Sequence, residues 1–168
     1  IKNRNECINN ASNIIQMAEK HIKLIPNVLK QSIIQYACQY SKFTKNCFSQ
    51  NLFLEILQIA SNGSFYVRID AVNCIAISII ETKRKIDDIS YLTDVFSAHL
   101  GGNIDVVLNI IQALNVIFDY AQIENNTSSF CLIVLSNFDF NELINNDSRE
   151  IHDAAQLFLD KITEAQGF

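Results

Sequence analysis

Residues 49–86 read SQNLFLEILQIASNGSFYVRIDAVNCIAISIIETKRKI, and their pattern sets the architecture of the chain. After Phe65 the apolar residues fall at Val67, Ala71, Val72, Ile75, Ala76, Ile79 and Ile80, a wide stripe at three- and four-residue spacing. Nothing in the segment alternates with period two. Asn62-Gly63 interrupts it, which predicts a shorter helix, a glycine turn and a longer helix. Sliding the chain by 38 residues superposes this unit on its neighbours. Phe53 falls on Tyr91, Leu57 on Val95, Ala60 on Ala98 and the turn glycine Gly63 on Gly101. The same shift aligns Ile34 with Val72 and Ile110, Ala37 with Ile75 and Ala113, and Cys38 with Ala76 and Leu114.

A unit of this size has too little interior to stand alone and must bury its apolar face against a copy of itself. The expected fold is therefore all-α, a right-handed α-solenoid. It forms a single array over residues 1–168 with units at about 11–48, 49–86, 87–125 and 126–168. Helices are predicted at about 11–24, 28–42, 49–61, 65–84, 86–100, 103–123, 127–137 and 148–164. Breaks are expected at Pro26, Asn62-Gly63, Gly101-Gly102, Asn125-Asn126 and Asn145-Asn146-Asp147. The fourth unit is out of step, because a polar insert from Glu124 to Ser129 delays its long helix. The chain begins at Ile1 and reads as the C-terminal part of a longer protein.

Composition narrows the function. With 168 residues, 49% hydrophobic, four glycines and one proline, the chain lacks the turns of a β-sandwich and the glycine-rich loops that hold phosphates. A net charge of -5 argues against nucleic acid as a partner, since neutralising phosphates needs clustered Lys and Arg. The longest nearly apolar run, Ala71–Ile80, is half a membrane span, so no membrane partner is expected. Five cysteines, odd in number and without a CxxC pair, sit mostly in apolar runs, which points to a reducing compartment, cytoplasm or nucleus. Nineteen asparagines generate Asn-x-Ser/Thr strings by chance, and glycosylation is not expected. His21, His99 and His152 are too far apart for a local metal motif, and no nucleophile, zinc-protease or phosphate-loop string is present. No enzyme activity, metal, cofactor or small-molecule substrate is expected. Lys83-Arg84-Lys85 ends a long helix, where cations complement exposed carbonyls.

The run Ser64-Phe65-Tyr66-Val67-Arg68-Ile69-Asp70-Ala71-Val72-Asn73-Cys74-Ile75 resembles the third helix of an armadillo repeat, and most resembles the importin-α (karyopherin-α) pattern. Val106 to Phe118 is similar to that family's penultimate repeat, and Phe140 to Ala155 to its closing segment. The resemblance covers residues 49–168 in order, and the first 48 more faintly. It implies a protein-binding adaptor that recognises nuclear localisation signals in nuclear import and is recycled by an export receptor. In such a groove, Trp side chains make slots for Lys and Arg stems, and an Asn one turn on clamps the peptide backbone. This chain has no Trp. The Trp positions correspond to Gln35, Asn73 and Ile111, the clamp positions to Gln39, Ile77 and Asn115, and Asp70 stands at an acidic position of the family. The implied groove for basic localisation-signal peptides is thus weakened. The closing helix, with Glu150, Ile151, Asp153 and Asp160, is the implied surface for importin-β-type or export receptors. The alternative is a general armadillo or HEAT scaffold without a transport role.

Overall fold

Pro26 fixes its own φ and cannot donate a backbone hydrogen bond, so the first long helical stretch is cut there into α1 (Lys2–His21) and α2 (Asn27–Thr44). The computed structural model describes residues 2–166, and among them it contains nine helices and no strand. The others are α3 (Gln50–Asn62), α4 (Phe65–Thr82), α5 (Ile89–Ser97), α6 (Ile104–Ile123), α7 (Thr127–Asn137), α8 (Phe140–Ile144) and α9 (Arg149–Gln166). Short polar side chains start several of them. Ser49 accepts from the Leu52 N–H at 3.2 Å, Asp88 from Tyr91 at 3.0 Å and Asn103 from Asp105 at 2.8 Å.

The ends of the long helices share a device. Lys45 (φ 58°), Lys83 (φ 53°) and Asn125 (φ 55°) adopt the left-handed conformation directly or almost directly after α2, α4 and α6. Lys45 and Lys83 are 38 residues apart, so a backbone feature recurs with the period of the apolar pattern. The nine aligned positions Ile34, Val72, Ile110, Ala37, Ile75, Ala113, Cys38, Ala76 and Leu114 are all buried.

The chain forms two compact units, residues 1–82 and 83–168. In the first, α2 lies alongside α4 and α1 alongside α3, while α3 covers α4 and α1 covers α2. Gln35 meets Asp70, Cys38 meets Cys74 and Lys45 meets Glu81, so α2 and α4 run in the same direction. The core between the two layers is built from Ile22, Ile34, Leu52, Ile56, Val72, Ile75 and Ile79. Gly63 closes the α3–α4 turn. A Cβ there would stand 2.6 Å from the Ile59 carbonyl oxygen, whose hydrogen bond from the Gly63 N–H (2.8 Å) ends α3.

In the second unit α6 packs on α9 and α5 on α7, with α7 and α8 against α9. Its core is aromatic. Phe118 meets Phe130 edge-on at 5.7 Å and Phe158 at 6.4 Å, and Phe140 adds a ring 6.1 Å from Phe158. Helix α6 is by length and composition long and apolar enough to cross a membrane; ten of its residues, from Val106 to Ala121, are buried. Helix α8 is a single turn that the periodicity did not predict. His99 Nδ1 lies 2.9 Å from the Val95 carbonyl near the end of α5.

Candidate functional site

Three glutamines, Gln31, Gln35 and Gln39, stand four residues apart on α2 and therefore on one face. Opposite them α4 carries Asp70 and Asn73. The two helices border an open cleft of about 500 Å³ whose walls include Gln35, Gln39, Asp70 and Asn73, four of the positions implied by the resemblance. Ser32, Tyr36, Cys38 and Lys42 complete the lining. Asp70 Oδ2 accepts two amide hydrogen bonds, from Gln31 Nε2 at 2.9 Å and from Gln35 Nε2 at 2.9 Å. These bonds fix the Gln35 side chain with its amide oxygen free of Asp70, as an acceptor on the exposed side of α2.

One thiol, Cys38, is part of the lining, and the buried Cys74 lies behind it. Cys74 is fully buried and donates to Cys38, which holds the Cys38 thiol below the usual range against the opposing effect of its burial. The same bond, with burial and the neighbouring Cys38, pushes Cys74 well up. Tyr36 is raised, by burial first and then by Tyr40. Among the described residues of the lining the formal charges are Asp70 and Lys42, one of each sign.

The remaining implied groove positions lie elsewhere. Ile77 is buried, facing the core and not the cleft. In the second unit Ile111 is buried. Asn115 is half-buried with its amide engaged at both ends: Nδ2 donates to the Ile111 carbonyl at 3.2 Å and Oδ1 accepts from Lys161 Nζ at 3.3 Å. Lys161 also pairs with Asp119 at 2.7 Å and lies 4.9 Å above the centre of the Phe118 ring.

On α9, Glu150, Asp153 and Asp160 are exposed while Ile151 turns into the core. Asp153 takes a long contact from Arg149 Nε at 3.5 Å, and Asp160 accepts from Gln156 Nε2 at 2.7 Å. The spacing sets the three carboxylates along one stripe of the helix, and Leu157 stands exposed in that stripe. Sequence reading did not single out Leu157 or Gln31, although the four-residue glutamine spacing was legible as a ladder. Among the described residues no three His, Cys or carboxylate groups converge to hold a metal ion. No family model, curated protein or solved structure matches this chain.

Proposed function

We propose that this chain is a protein-binding adaptor of the armadillo type, which holds an extended peptide segment in the cleft between α2 and α4. The observation that carries this reading is the Gln31–Gln35–Asp70 network on the wall of an open cleft. An extended peptide offers its N–H and C=O groups in alternation, and fixed side-chain amides both donate and accept, so a glutamine ladder is suited to its backbone. The repeat itself is supported by the nine buried aligned positions and by left-handed terminators 38 residues apart.

The resemblance to importin-α makes a basic localisation-signal peptide the first cargo and an import or export receptor at α9 the first protein partner. The cleft's own chemistry favours the backbone of the cargo over its charge, since Asp70 is offset by Lys42 and no indole is present to seat a Lys or Arg stem. Titration calorimetry of the full chain with a basic peptide and with an uncharged extended peptide of equal length tests this. Both should bind, the basic one with little added affinity. Gln35→Ala should weaken both by about tenfold, the effect of roughly one hydrogen bond. Absence of binding by both peptides at millimolar concentration removes the adaptor reading.

A second reading, a general scaffold without a transport role, is favoured by Asn115, whose amide is committed to Ile111 and Lys161. Capture of an import or export receptor by the full chain, lost on Leu157→Asp, would exclude it.

A further inference from the structure

The contacts along the seam between α2 and α4 define its register. Asp70 takes the amides of Gln31 and Gln35, Lys45 pairs with Glu81, and just beyond α2 Cys47 donates to Thr82 at 3.0 Å. These pairs are 35 to 39 positions apart, and Cys38 stands opposite Cys74 at a separation of 36, one turn along from Gln35 and Asp70. Small side chains flank the two thiols and let the helices approach: Ala37 and Ser41 on α2 and Ala71 and Ser78 on α4 are all fully buried. Within this seam the two thiols differ in access. Cys38 is 7% exposed and lines the open cleft, while Cys74 is 0% exposed and is reached only through Cys38. The other thiols described bond to oxygen instead, Cys47 to Thr82 and Cys131 to the Ile162 carbonyl at 3.8 Å.

We infer that Cys38 and Cys74 form an oxidation site, in which a hydroperoxide entering the cleft converts Cys38 to a sulfenic acid and Cys74 closes it to a disulfide joining α2 to α4. In the first step the Cys38 thiolate attacks the terminal peroxide oxygen. An S–O bond forms, the O–O bond breaks, and the leaving oxide takes up the proton that the thiol gave away. In the second step the Cys74 sulfur attacks the Cys38 sulfur. An S–S bond forms, the S–O bond breaks, and the hydroxide departs as water with the Cys74 proton. The thiol pair gives up two electrons and the peroxide gains them. The environment suits this order. The Cys74 hydrogen bond lowers the Cys38 pKa against burial, with Lys42 adding to the lowering and Asp70 opposing it. The bond to Cys38, burial and the charge on Cys38 keep Cys74 a thiol. Once Cys38 is a neutral sulfenic acid that charge is gone, and Cys74 is released to react.

The inference rests on the seam and not on the peptide reading, so either can fail without the other. Its test treats the reduced full chain with hydrogen peroxide, blocks remaining thiols by alkylation and maps a tryptic digest without reduction. Cleavage after Lys30, Lys42, Lys45, Arg68 and Lys83 places Cys38 in residues 31–42, Cys74 in 69–83 and Cys47 in 46–68. The expected product is 31–42 joined to 69–83, lighter by two hydrogens than the separate peptides and released by a dithiol reductant. The link restrains the unfolded chain, so the thermal midpoint should rise by about 5 °C or more. In Cys74→Ala, dimedone should trap Cys38 as the sulfenic acid. In Cys38→Ala, Cys74 should stay reduced under peroxide that links the original chain fully. A link through a third cysteine in place of either, a link that forms only in urea, or a midpoint that does not rise overturns the inference. So does a Cys74 that is oxidised at the original rate in Cys38→Ala. Mapping of the original chain decides by itself should either variant fail to fold.

Discussion

The two units use one layered plan and differ in the side chains that fill the seam between their long helices. In residues 1–82 the seam between α2 and α4 is polar along one edge, with Asp70 under two glutamine amides, a bonded pair of thiols and the Lys45–Glu81 ion pair. In residues 83–168 the corresponding seam of α6 on α9 is ring on ring, Phe118 on Phe158 with Phe130 of α7 beside them, and its edge is held by Lys161, which lies over the Phe118 face and bonds Asn115 and Asp119. Aromatic side chains bury large areas and fill the interface, whereas amides and thiols leave the edge of theirs open to a partner. One plan thus yields a unit with a cleft at its seam and a unit whose seam is packed with rings.

The largest expected effect breaks the aromatic side. Phe158→Ala removes a fully buried ring from two neighbours and should cost about 3–5 kcal/mol, read by urea unfolding. A loss below about 1 kcal/mol would mean that the ring cluster does not hold α9 in place. The turns give the next contrast. Gly63→Ala forces a Cβ onto the Ile59 carbonyl and should cost about 1–3 kcal/mol, while Gly101→Ala, with nothing within 4 Å of its Cβ position, should be neutral within about 0.5 kcal/mol. Equal effects at the two glycines would show that their alignment in the repeat reflects one steric need after all.

The sequence made much of this legible, and the reasons for the rest are physical. Every long helix and the breaks at Pro26, Gly63 and Asn125 followed from apolar spacing and turn chemistry. Helix α1 begins far upstream of Ala11, because Lys2 to Asn10 is polar and sends out no apolar stripe. Phe140–Ile144 is too short for a period to be counted. At the candidate site, Gln35, Gln39, Asp70 and Asn73 could be named from the resemblance. That they share one cleft needed the packing of α2 on α4. The commitment of Asn115 was hidden for a related reason: its partner Lys161 is 46 residues away, and local spacing carries no trace of it.

A smaller pair of effects sharpens the comparison at the helix ends. Lys83→Gly relieves a left-handed non-glycine residue and should stabilise by about 0.5–1 kcal/mol in thermal unfolding. Lys45→Gly gains the same relief but gives up the pairing with Glu81, so its net change should be closer to zero, and the difference should shrink in high salt. If Lys45→Gly gained as much as Lys83→Gly at low salt, the Glu81 contact would be worth nothing.

The smallest effect is kinetic. Because the Cys74 hydrogen bond lowers the Cys38 pKa, Cys38 carries more thiolate near pH 8 than it would with that donor removed. In Cys74→Ala the donor is gone and burial, the largest influence that remains, pushes Cys38 up. Its alkylation near pH 8 should slow several-fold, and the whole rate profile should move to higher pH. An unchanged or faster rate would mean that the thiols do not share a proton.

Lys45 stops α2 and reaches the next long helix in one residue. The stagger of α4 against α2 is therefore fixed at the point where the chain turns away, not averaged over the length of the contact. An amino acid inserted inside α2 would rotate every helical residue that follows it by about 100° and carry Lys45 off Glu81; the same insertion just after Lys45 falls in the irregular segment between α2 and α3, where it can be absorbed without disturbing that stagger.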